Sequence, residues 1–143
     1  MNLPVAGVLG FGMPELLVIG FLLSFLFVVS AVPAVLAFVV LQRVPVEHRK
    51  QEPLLAFLLL IPFFAIIWAF FVHPRVAASL QAWSAARGIA TNGDCGGSLA
   101  LALCLCGVVS FVPLLGLLAG LAALVLLVIF YVKAFELSAQ LAR

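Results

Sequence analysis

The residues able to do chemistry in this chain are few: His48 and His73, Cys95, Cys104 and Cys106, and five carboxylates scattered from Glu15 to Glu136. His48 sits near Glu47 and Glu52 with no second histidine or cysteine beside it. That falls short of the ligand sets that metals need, so it reads as a solvated loop histidine. His73, in the string His73-Pro74-Arg75, is placed to serve as an axial ligand to a haem or chlorin, but the sequence offers it no paired ligand. Cys104 and Cys106 are two residues apart and point to nearly opposite faces of a helix, so they cannot chelate one metal. Three cysteines make no disulfide framework. Ser24, Ser30 and Ser110 have no histidine near them in sequence to act as a base. Thr91 to Gly97 is a turn by composition, with no Walker lysine and Asp94 as its one carboxylate, so it is neither a nucleotide loop nor a calcium loop. The expectation is a chain that is not an enzyme and carries no metal and no cofactor.

The elements that must position these residues are set by composition. Of 143 residues, 67% are apolar and 8% charged, with a mean hydropathy of +1.40. Soluble domains carry about 25% charged residues, and so few charges cannot cover a soluble fold of this size. Composition therefore predicts an all-α, integral membrane helical bundle in one domain, residues 1–143. A net charge of +2 is no footprint for nucleic acid, and no basic run is long enough for strong recognition of anionic lipid. The first apolar stretch has no Lys or Arg ahead of it, which favours an uncleaved span over a signal peptide.

Four membrane segments in two hairpins are expected, at about 16–41, 54–72, 98–110 and 114–132. Pro14 and Glu15 open the first, proline suiting a first helical turn and the carboxylate complementing the helix dipole. Gln42 to Glu52 is a polar loop bracketed by Pro45 and Pro53. The second segment is rich in phenylalanine (Phe57, Phe63, Phe64, Phe70 and Phe71) and has Pro62 at its centre. Next, Val76, Leu80 and Trp83 mark one apolar face of a short amphipathic helix over about 76–88, lying at the membrane surface or continuing the second segment, with Gly88 as its C-cap. From Cys95 to Val132 there is no charged residue. As one helix this stretch would run about 57 Å against a hydrocarbon core of about 30 Å. Pro113 lies mid-way and cannot donate a helix hydrogen bond, so a membrane hairpin or a sharply kinked helix is predicted.

After that break, Gly116 and Gly120 form a GxxxG, extended by Ala119 and Ala123. Small residues so spaced let another helix backbone approach closely. Trp68, Trp83, Tyr131 and Lys133 read as anchors at the membrane interface. With four spans, both ends of the chain lie on one side, and the basic residues divide four against three in favour of that side being cytoplasmic. With three spans the count is five against two and the start of the chain is outside.

Several short motifs resemble a group of small bacterial inner-membrane proteins known as a domain of unknown function. They are Val44-Pro-Val-Glu-His-Arg-Lys-Gln-Glu-Pro53, Leu58-Leu-Leu-Ile-Pro-Phe-Phe64, Ile67-Trp68, Ser79-Leu80, Arg87-Gly88, Pro113-Leu-Leu-Gly116, Leu118-Ala-Gly-Leu121 and Tyr131-Val-Lys133, spread over about residues 40–141. The resemblance implies a bacterial membrane location and a four-helix layout, and it supplies no activity and no site residues.

The three apolar stretches hold no side chain that ionises near neutral pH other than cysteine thiols, unlike ion-coupled transporters. The function expected is therefore that of a structural or accessory subunit, packing in the lipid bilayer against helices of other membrane proteins as a hetero-complex or homo-oligomer. The alternatives are a module holding a quinone, carotenoid, chlorin or lipid against the phenylalanine face, and an oligomeric channel or transporter.

Overall fold

A computed structural model describes residues 12–61, 63–91, 93–113 and 115–143. Those residues are mostly helical, with no strand among them. Four α-helices form: α1 (Met13–Arg43), α2 (Phe64–Ala86), α3 (Gly97–Val109) and α4 (Gly116–Leu141). Two 3₁₀ segments, Val46–His48 and Pro53–Leu60, lie between α1 and α2. Helices α1, α2 and α4 are long and apolar enough to cross a membrane, whereas α3 is shorter.

The helix ends follow from local chemistry. Helix α1 starts with Pro14 and Glu15 in its first turn and ends where Val44, preceding Pro45, turns extended at ψ 130°, as the residue before a proline must. It passes through Pro33 without interruption. Helix α2 ends in a glycine cap: Gly88 is left-handed at φ +66°, and the Ile89 N–H returns to the Ser84 carbonyl at 3.1 Å. The Asp94 carboxylate accepts from the N–H groups of Gly96 and Ser98 and so caps the start of α3. The Ser98 N–H, first among these, holds the Asp94 carboxyl below the usual carboxylate range.

Residues 54–72 do not form the single segment expected. Pro53–Leu60 is a 3₁₀ helix, about 16 Å long at 2.0 Å per residue, lying against α1 with Phe57 and Phe38 rings 5.0 Å apart. The chain then reverses. The Trp68 indole N–H donates to the Leu55 carbonyl at 2.8 Å, thirteen residues back. Pro62, expected at the centre of a span, lies outside the described residues. The amphipathic stretch 76–88 is no separate surface helix. It is the second half of α2, which runs straight through Pro74, and its predicted face of Val76, Leu80 and Trp83 is buried.

The reversal sets the direction of everything after it. The Lys50 N–H donates to the Ser79 hydroxyl at 2.9 Å, and the Arg43 guanidinium reaches the Ser138 hydroxyl at 3.5 Å. Helices α1, α2 and α4 therefore finish at the same end of the bundle, and only α3 runs the other way. The start of α1 and the end of α4 lie at opposite ends, which corrects the expectation of one shared side. All seven Lys and Arg residues fall in the half where these three helices finish, and Glu15 is the one charged residue in the other half.

Burial follows the same division. Ala34, Ala37, Val40 and Leu41 of α1 pack with Val72, Val76 and Leu80 of α2, and with Phe130, Tyr131 and Ala134 of α4. Away from this core the helices expose apolar side chains, among them Leu17, Phe21, Leu117 and Leu118, each more than two-thirds exposed.

The hairpin predicted at Pro113 is present between α3 and α4, and Gly116 makes it possible. A Cβ on Gly116 would collide with the Ser110 backbone carbonyl, and one on Gly120 would meet the Ser110 hydroxyl at 3.7 Å. We predict that Gly116→Ala destabilises the fold by about 1–3 kcal/mol through overpacking. Gly107→Ala, whose Cβ meets nothing within 4 Å, should be neutral or stabilising. Thermal unfolding of both variants in detergent checks this.

Candidate functional site

The four α-helices and the 3₁₀ arm line a cavity of about 260 Å³ that is open on one flank. Its wall is almost wholly apolar, with Leu26 and Pro33 from α1, Leu59 from the arm, Ile66 from α2, Leu103 from α3 and Leu127 from α4. Small residues at Ala69, Gly107 and Ala123 leave the space open. His73 is the one ionisable group in this wall besides the Cys104 thiol.

His73 is 3% exposed. Its Nδ1 lies 2.9 Å from the Ala69 carbonyl, one turn back on α2. A carbonyl only accepts, so Nδ1 carries the proton, and in the neutral ring Nε2 keeps a bare lone pair. That Nε2 is buried without a partner. The Cys104 Sγ stands 4.0 Å from Nδ1, the nitrogen already committed to Ala69. The imidazole therefore has no lone pair facing the thiol, and the two do not make a nucleophile and base. Phe130 and Tyr131 hold the ring edge-on from the other side, each with its centroid 6.0 Å away. Nε2 is closed off on every side as well as unpartnered, so the imidazole stands as a packed group and not as an open ligand or base.

The other residues singled out from the sequence are dispersed. Gly116 and Gly120 face the α3–α4 turn within the chain, and Ala119 and Ala123 of the same strip are half-buried. Trp68 is half-buried, bonded to Leu55 and stacked on Phe64 at 5.4 Å. Trp83 and Tyr131 were expected as interface anchors, but both are core residues, 4% and 2% exposed. The Tyr131 hydroxyl donates to the Pro33 carbonyl at 3.0 Å, a satisfied buried group rather than an anchor in water. Lys133 is exposed. The phenylalanines of 57–71 do not share one face: Phe57 pairs with Phe38, Phe64 and Phe71 flank Trp68, and Phe63 alone among the five lines the cavity. His48 lies in the 3₁₀ turn, and among the described residues no cluster of three His, Cys, Asp or Glu side chains could hold a metal.

Sequence reasoning picked out His73 but left it just past the second expected segment, 54–72. Its neighbours Pro33, Cys104 and Gly107 come from other helices, and no local signal joins them. Tyr131→Phe removes the bond to Pro33 while keeping the ring, and is expected to cost about 0.5–1.5 kcal/mol in detergent unfolding with the helix content unchanged. No protein-family model, no curated protein and no solved structure matches this chain.

Proposed function

We propose that this chain is a non-catalytic integral membrane protein of a bacterial inner membrane, a structural or accessory subunit whose helices pack against those of other membrane proteins. The observation that carries the reading is the bare first two-thirds of α1. From Met13 to Val32 no side chain is fully buried, although the stretch carries Leu17, Phe21, Phe25 and Phe27. It also carries Gly20 and Ser24, four residues apart, and a Cβ on Gly20 would meet nothing within 4 Å. The Ser24 hydroxyl is satisfied by its own Gly20 carbonyl at 2.8 Å. A small-xxx-small pair on a helix that the chain leaves uncovered suits close approach by a helix of another subunit, in a hetero-complex or a homo-oligomer.

The distribution of charge supports the orientation. With every Lys and Arg in one half of the bundle, the rule that basic residues stay cytoplasmic puts the ends of α1, α2 and α4 inside the cell and the start of α1 outside. Between Gly116 and Lys133, α4 covers about 26 Å, close to the hydrocarbon thickness of about 30 Å. The four α-helices serve as the membrane segments in this reading, with Pro53–Leu60 as a short re-entrant arm. The resemblance of residues 40–141 to small bacterial inner-membrane proteins agrees with the location.

The test is gentle detergent extraction followed by native mass analysis of the wild type and Gly20→Leu. The wild type should elute in a species heavier than the 15.2 kDa chain. Gly20→Leu touches nothing inside the chain and should release it as a single, fully helical chain. A wild type that elutes alone contradicts the subunit reading.

A further inference from the structure

One face of α2 carries a continuous stack of rings that ends in a cation. Phe64, Trp68, Phe71 and Arg75 recur at i, i+4, i+7 and i+11, which sets them on one side of the helix. The rings of Phe64 and Trp68 have centroids 5.4 Å apart, those of Trp68 and Phe71 5.7 Å, and the Arg75 guanidinium lies over the Phe71 ring at 5.6 Å. Phe64, Phe71 and Arg75 are exposed and Trp68 is half-buried. The Trp68 indole is pinned by its N–H bond to the Leu55 carbonyl, so the middle of the strip is held in place. From Phe64 to Arg75 the strip is about 16 Å long.

The fold brings a second cation to the head of this strip. The Lys50 N–H donates to the Ser79 hydroxyl at 2.9 Å, and that hydroxyl donates to the Arg75 carbonyl at 2.7 Å. One serine thus joins the polar loop to α2 beside Arg75, and the side chains of Lys50 and Arg75 are both exposed. The partner of Arg75 is an uncharged ring, which leaves its positive charge uncompensated. Glu47 and Glu52 share the loop with Arg49 and Lys50, but it is Lys50 that Ser79 ties to α2. In the half of the bundle where α1, α2 and α4 finish, seven basic residues meet four carboxylates. Neither Lys50 nor Arg75 signals a lipid site by its local sequence; the fold assembles what the chain keeps apart.

Depth completes the match. His73 packs against Phe130 and Tyr131 of α4. Arg75, two residues further along α2, is therefore level with Lys133, at the rim of the hydrocarbon. Phe71, Trp68 and Phe64 run from that rim into the apolar half. Two cations above an aromatic strip complement a phosphate above an acyl chain. A soluble anion would use only the head of the strip, and a neutral lipid only its length.

We propose that Lys50, Arg75 and the Phe71–Trp68–Phe64 strip form a binding site for one anionic phospholipid of the cytoplasmic leaflet. Its phosphate rests on the two cations and one acyl chain lies along the rings. The site rests on the membrane orientation proposed above and not on the packing role of α1. No bond is made or broken; the step is binding.

The chain has two tryptophans, and Trp83→Phe leaves Trp68, inside the proposed site, as the single indole. The full chain with that change would be reconstituted in phosphatidylcholine bilayers holding increasing fractions of phosphatidylglycerol with brominated acyl chains. A second series would brominate the phosphatidylcholine instead. Bromine quenches only an indole close to it. Quenching by either lipid reports that α2 lies in the bilayer, and a preference for the anionic lipid reports the site, so the two readings fail separately. The expected result is half-maximal quenching by phosphatidylglycerol at a fraction about fivefold lower, the worth of one Lys or Arg at an anionic surface. Replacing both exposed cations, Lys50→Gln with Arg75→Gln, should bring the two lipids level. Arg87→Gln, whose guanidinium lies over residue Trp83 and not on this strip, should leave the preference unchanged. In about 1 M salt, where charges act over about 3 Å, the preference should shrink without any substitution. Equal quenching by the two lipids, a preference that survives the double variant, or an equal loss in Arg87→Gln would each overturn the proposal. Loss of the preference on adding inorganic phosphate at constant ionic strength would make the site one for a soluble anion and overturn it as well.

Discussion

The fold depends on the junction where Tyr131 meets Pro33. A phenol hydroxyl buried among apolar side chains must find an acceptor, and it finds one 98 residues away in the carbonyl of Pro33. Around that bond the four helices converge. Phe130 stands edge-on to Tyr131 at 5.1 Å, and His73 of α2 lies against both rings. Gly96, left-handed at φ +91°, lies so close under Phe130 that a Cβ there would come within 3.3 Å of the ring. The turn into α3 is thereby pinned to α4.

The position of this junction explains why burial is so uneven. Water drives apolar side chains together only where water is the alternative, and lipid tails give no such drive between helices. The half of the bundle with the basic residues therefore holds the dense core of alanine, valine and leucine. The apolar half is held by geometry instead: by Gly116 closing the α3–α4 turn against Ser110, and by Trp68 holding the 3₁₀ arm through Leu55. Loose packing in that half leaves both the open face of α1 and the cavity below His73. One feature, the sparse packing of that half, thus accounts for both the uncovered face of α1 and the space beside His73.

Much of this was legible in the residues. The charge-free run around Pro113 was expected to turn or kink from its length and its proline, and the chain turns there between α3 and α4. Val76, Leu80 and Trp83 share a buried face, as their spacing says they must. The reversal after Leu60 was not legible, because 54–72 is apolar on both sides of the turn and carries no polar punctuation. Missing it made one span of two arms and put both ends of the chain on one side. Trp83 and Tyr131 were misplaced for a related reason. An aromatic residue near a charged one reads as an interfacial anchor, and only the fold shows that Tyr131 has an acceptor on α1. The cavity was invisible because its wall is drawn from all four helices. His73 was the one visible part of it, and its tautomer is set by a bond to Ala69 that any helix of this sequence would offer.

The claim on which the whole arrangement rests is that the chain reverses between Leu60 and Phe64, so that α1, α2 and α4 run in one direction. The most direct test is to place compartment-sensitive reporters ahead of Glu15 and after Leu141 in the full chain, expressed in bacterial cells. The arrangement predicts opposite sides, with the reporter after Leu141 in the cytoplasm. Both reporters on one side would contradict it and restore 54–72 as a single crossing.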